Sequence, residues 1–151
     1  MILYRLTLAK YVETAFSGEG SRRVGGRWTP AGSPAVSTAS SIALTVLETL
    51  VHVDSAIMPK HLVIRVDVPD SINITSFTSG ELPNDWRETP APAALQHIGR
   101  DWLDAGETAL LQIPSVVFPK ENNVIINPLH PDFKTLRIGE PDSFSIDARL
   151  L

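Results

Sequence analysis

The chain has 151 residues, 20% of them charged, with a net charge of −4 and no cysteine. That balance excludes disulfides and thiolate metal sites, argues against non-specific nucleic-acid binding, and agrees with a reducing cytoplasm. An apolar fraction of 43% supports one full core, no apolar run is long enough to span a membrane, and the polar opening MILYRLTLAK does not read as a signal peptide.

Twelve prolines and nine glycines predict many short elements. ILYRL alternates and uses β-formers, which predicts a first strand. Residues 10–34 read as a loop rich in Gly and Ser, with one basic cluster at Arg22 and Arg23; a loop of that length is either functional or disordered. A helix is predicted over Thr38–His52. Ile42, Ala43, Val46, Leu47, Leu50 and Val51 form one apolar stripe, and Ser37, Thr38 or Ser40 stands where a cap is needed. The opposite face carries Ser41, Thr45, Glu48 and His52 in a row.

His61–Pro69 predicts a strand with one wetter face, and NITSF another. LPNDW reads as a turn. APAALQHIGRDWLDAG predicts the second main helix, buried through Leu95, Ile98, Trp102 and Leu103 and stopped by Gly106. TALLQIP, NNVIINP, KTLRIG and FSIDARL close the chain as short strands punctuated by Pro114, Pro119, Pro128 and Pro131. The order is that of an α+β fold: mostly antiparallel strands with two main helices, in a single domain over residues 1–151. The glycine fingerprint of a dinucleotide-binding βαβ unit and the Walker phosphate loop are both absent.

Three side chains stand out for chemistry. Arg27 lies in GGRW, where Gly25 and Gly26 leave the backbone open to a ligand and a guanidinium offers a planar fork to phosphate; the alternative is a structural arginine in a turn. Its neighbour Trp28 reads as core. Glu48 sits off the apolar stripe, so packing does not explain it. Such a carboxylate stabilises a cationic sugar-like transition state or holds a ribose hydroxyl; the alternative is an exposed glutamate paired with His52. Ser115 ends the strand in LQIPSVVFP, either as a ligand contact or as a turn former, with no adjacent base and no GxSxG. His52, His61, His97 and His130 show no ligand spacing, so no metal site is expected.

The series GEGSRRVGGRWTPAGSP, IALTVLETLVH, ELPNDW, IGRDWL, LQIPSVVFPKENNVIINPLHPDF and FSIDARL resembles the RES-domain family along nearly the whole chain. These are toxins of bacterial toxin–antitoxin pairs. The resemblance implies an ADP-ribosyltransferase-like fold whose β-sheets form a cleft for NAD, and cleavage of the nicotinamide–ribose bond by hydrolysis or phosphorolysis, with growth arrest. The arginine, glutamate and serine that give the family its name fall on Arg27, Glu48 and Ser115. By that resemblance Arg27 binds the pyrophosphate, Glu48 meets the developing charge or the ribose 2′-hydroxyl, and Ser115 positions the nicotinamide ribose or the phosphates. NAD is then a substrate, with no permanently bound cofactor. A repressor-like, Xre-type antitoxin is the implied partner, covering the cleft and carrying any DNA contact; oligomers are compatible with the family.

One position departs from the pattern. Where the family commonly has a tyrosine before the first helix, as in PVVYTS, this chain reads PAVSTAS and places Ser37. The ring thought to hold the nicotinamide end is lost, a contact worth about 0.5–1.5 kcal/mol beyond its buried area. Two alternatives therefore stand beside the NAD-degrading toxin: a protein ADP-ribosyltransferase using the same cleft, and a weakened module that binds antitoxin or nucleotide.

Overall fold

A computed structural model describes residues 1–52 and 59–151. Its strands are β1 (Ile2–Leu8), β2 (Val36–Ala39), β3 (His61–Asp67), β4 (Ile74–Ser76), β5 (Leu110–Pro114), β6 (Asn122–Ile126), β7 (Arg137–Ile138) and β8 (Asp142–Phe144). They pair into one sheet in the order β4-β5-β6-β2-β1-β3-β7, with β8 also on β3. The β4–β5 pair is parallel and the others are antiparallel. Among the described residues three α-helices accompany the strands: α1 (Glu19–Val24), α2 (Ile42–Leu50) and α3 (Ala93–Ala105). The α+β class and the two main helices are as the periodicity predicts.

Alternation along β5 and β6 explains why both faces of the sheet are covered. Leu110, Val124 and Ile126 point into one cluster with Leu3, Val36, Val66 and Leu136. Leu111, Ile113 and Ile125 point into a second, with Trp28, Trp86, Leu95 and Trp102. The second cluster is the seat of α3. Its predicted face holds: Leu95 and Trp102 are buried, Ile98 and Leu103 pack on the cluster, and Gly106 ends the helix in the left-handed region at φ 60°.

Two sequence expectations change. The 10–34 stretch is not all loop, because Glu19–Val24 forms α1, with Arg22 and Arg23 both bonded to Glu19. The helix predicted from Thr38 starts later, because residues 36–39 pair as β2 between β1 and β6. Its cap is Ser41, whose Oγ accepts from the Leu44 N–H at 3.1 Å, rather than Ser37, Thr38 or Ser40. The four-residue β2 carries no periodicity of its own; two flanking strands supply its ladder.

The stripe expected to bury α2 also faces differently. Leu44, Thr45 and Val46 are buried, whereas Ile42, Leu47 and Val51 are 36%, 39% and 59% exposed. The helix turns its polar row inward. That orientation is tolerated because the inward polar groups find partners.

Candidate functional site

The GGRW turn is built by its glycines. Gly25 has φ 70°, a left-handed conformation in which an added Cβ would also lie 2.8 Å from the Ala31 nitrogen. Gly26 donates to the Thr29 carbonyl at 2.8 Å, and its own carbonyl accepts from Gln96 Nε2 on α3 at 2.8 Å. Trp28 is buried as predicted, its ring 6.4 Å from that of Trp86. Gly99 of α3 lies directly under the Trp28 carbonyl: a Cβ there would stand 2.8 Å from the carbonyl carbon and closer still to its oxygen. The turn is thereby locked to α3, and Arg27 leaves it in a fixed direction.

Arg27 crosses to the segment before α3. Its Nη1 donates to the Trp86 and Glu88 carbonyls at 3.2 and 2.9 Å, and its Nη2 to Thr89 Oγ1 at 3.3 Å. It therefore serves as a clasp as well as a pocket-lining cation. Arg27→Ala is expected to loosen residues 86–89, raising hydrogen exchange of those amides about tenfold or more; unchanged exchange would show that the clasp does not hold the segment.

The hairpin formed by β5 and β6 holds α2 at two points. Glu121 Oε2 accepts from the cap Ser41 Oγ at 2.8 Å. Two turns along, Glu48 Oε1 accepts from Ser115 Oγ and from Asn123 Nδ2, each at 2.6 Å. Ser115 is 0% exposed, and its Oγ also accepts from the Phe118 N–H at 2.9 Å, closing the turn after β5. Ser115 thus forms the turn, one of its two sequence readings, and its hydroxyl also touches the acid. It stands behind Glu48, however, and does not itself line the pocket.

In front of Glu48 is a pocket of about 760 Å³. Its walls come from β1, the GGRW turn, β2, the inward face of α2, the start of β3, and the β5–β6 hairpin. Ser37, an exposed residue of β2 paired opposite Ile125, lines it with a short side chain. Thr45, Glu48 and Thr49 of α2 and His52 just beyond it line the pocket; Thr45, Glu48 and His52 belong to the polar row read from the sequence.

Sequence reasoning missed Arg5. This β1 residue lines the same pocket; its Nε donates to the Ala15 carbonyl at 2.6 Å and its Nη1 to the Ser37 carbonyl at 2.8 Å. Burial lowers its guanidinium to about 10, so it remains charged at neutral pH. No carboxylate pairs with it among the described residues. Its strand parity is that of buried Leu3 and Thr7, opposite to pocket-lining Leu6 and Leu8, so local alternation carried no signal for it. Two cations and one acid thus share one hollow, an arrangement suited to an anionic ligand that develops positive charge at a point near the acid.

Comparison with known proteins agrees with this architecture. The chain is 39% identical over 99% of both chains to a protein named Toxin Res from Yersinia enterocolitica. It is 37% identical to a Prs ADP-ribosylating toxin from Sphingobium sp., covering 93% of this chain and 89% of that one. Among solved structures, the M. tuberculosis MbcT–MbcA toxin–antitoxin complex has a chain that matches with a TM-score of 0.79 at 19% identity, over 95% of this chain and 84% of that one. The RES domain profile matches residues 2–147, and the chain belongs to the RES domain family.

Proposed function

We propose that this chain is the toxin of a toxin–antitoxin pair and acts in the cytoplasm by consuming NAD. The observation that carries the reading is Glu48, held from behind through one oxygen, facing a pocket that Arg5 and Arg27 also line. The guanidiniums attract the pyrophosphate and orient the dinucleotide. Nicotinamide leaves from C1′ of its ribose as a neutral base, because in NAD it already carries the positive charge. The ribose is left oxocarbenium-like, and the Glu48 carboxylate stabilises it or holds the 2′-hydroxyl. Water then adds at C1′ and loses a proton, giving ADP-ribose; phosphate as acceptor gives the corresponding phosphate ester.

Purified chain incubated with NAD, with and without phosphate, tests the reading through its products. Nicotinamide together with ADP-ribose or its phosphate ester is expected. NAD intact under every condition would remove the proposal. A second reading, transfer of ADP-ribose to a protein, is favoured by the name of the Sphingobium relative. Label from NAD recovered on a protein, with little free ADP-ribose, supports that reading over hydrolysis.

The proposed partner is a repressor-like antitoxin that covers the pocket, consistent with the toxin–antitoxin complex of the structural neighbour. The short side chain at Ser37 is the reason to expect reduced activity. Ser37→Tyr is expected to raise kcat/KM about two- to twelvefold, from the roughly 0.5–1.5 kcal/mol that a ring contact adds. A variant no faster than its parent would show that the ring adds nothing in this pocket.

A further inference from the structure

We infer that Asn123 is a positioning residue for Glu48, which decides which carboxylate oxygen meets the substrate. The inference rests on the proposed NAD cleavage. A glutamate has three rotatable side-chain bonds, and one hydrogen bond leaves its carboxylate free to swing about the shared oxygen. Here two donors from different parts of the hairpin converge on the same atom, Oε1: Ser115 Oγ from the turn and Asn123 Nδ2 from β6. Among the described residues no hydrogen bond reaches Oε2. Two fixed donors on one oxygen set the carboxylate plane and leave the second oxygen for the ligand.

The orientation of the Asn123 amide is set by chemistry. The carboxylate can only accept, so the amide nitrogen must face it. The amide oxygen is then not needed for this contact, and Asn123 itself lines the pocket. Its backbone is held on both sides, opposite Ala39 of β2 and Ile113 of β5, so the donor is mounted on an interior strand rather than on a loop. Ser115, in the turn, has its backbone held on one side, its N–H donating to the Glu121 carbonyl at 2.9 Å.

Removing the Asn123 donor should cost rate more than binding, since a displaced carboxylate misses the charge that forms only in the transition state. In steady-state assays of NAD cleavage, Asn123→Ala and Asn123→Asp are each expected to lower kcat about 10- to 100-fold with KM within about threefold of the parent. The aspartate keeps the size but replaces the donor by a second acceptor, so it should do no better than alanine. Crystal structures of the two variants should show the Glu48 carboxylate rotated off its present position. Both variants within about threefold of parental kcat, or a KM that rises while kcat holds, would overturn the inference. So would a Glu48 left in place in either variant structure. Where the alanine variant fails to fold, the aspartate variant carries the same comparison. A parent inert on NAD overturns the proposed reaction instead, and the position of Glu48 in the variant structures then decides the role of Asn123.

Discussion

Glu48→Gln is expected to lower NAD turnover about 10²–10³-fold with little change in KM, the scale seen when one preorganised electrostatic group is removed from a transition state. The change keeps shape and length. Glutamine retains a carbonyl oxygen able to accept from Ser115 Oγ and Asn123 Nδ2, which now converge on Glu48 Oε1. The group on the pocket side becomes an NH₂, neutral and donating where a negative acceptor stood. The proposed dinucleotide contacts of Arg5 and Arg27 are left intact, so the loss is expected to fall on kcat. Turnover within a fewfold of the parent would remove Glu48 from the chemistry.

The largest effect on stability is expected at Gly99. Glycine inside a helix is ordinarily a liability, and alanine would gain about 1 kcal/mol from propensity alone. Here the sign reverses. The added methyl would be forced against the Trp28 carbonyl, a backbone group that Gly26 and Thr29 hold in a tight turn. Neither α3 nor the turn can give way cheaply, because Leu95 and Trp102 anchor the helix in the same cluster that holds Trp28. Gly99→Ala should cost about 3 kcal/mol or more and lower Tm by roughly 10 °C. The displaced turn carries Arg27, so the variant that remains folded should also bind NAD more weakly. A Tm equal to or above the parent's in a thermal melt would mean that α3 and the GGRW turn do not approach so closely.

These two residues show what is legible in the sequence and what is not. Strands with clean alternation, such as His61–Asp67, and a helix with an apolar face and glycine stop, such as Ala93–Ala105, are written in local periodicity. The turn of α2 is not. Its apolar residues mark a stripe, but the inward direction is set by Ser115, Asn123 and Glu121, which lie 67, 75 and 80 residues away from their partners on α2. The same holds for β2, which is a strand only because β1 and β6 flank it. Glycine at position 99 reads locally as a weak point in a helix; only the approach of Trp28 gives it a purpose.

The site was legible in its parts and not in its geometry. Family resemblance picks out Arg27, Glu48 and Ser115, and the fold draws them to one place, but in unequal positions. Ser115 and Glu48 are in direct contact, while Arg27 reaches the pocket from another wall and spends three contacts on residues 86–89. Arg5 escaped because ILYRL is an ordinary strand pattern in which a cation normally marks the solvent side. Only its bond to the Ser37 carbonyl of β2 brings it to the pocket.

The most direct measurement is the position of NAD in a crystal of the Glu48→Gln chain, in which turnover should be too slow to destroy the ligand. The expected density places the nicotinamide ribose C1′ beside residue 48 and the pyrophosphate between Arg5 and Arg27. A dinucleotide lying elsewhere on the molecule, or turned so that its adenine end meets residue 48, would contradict the assignment.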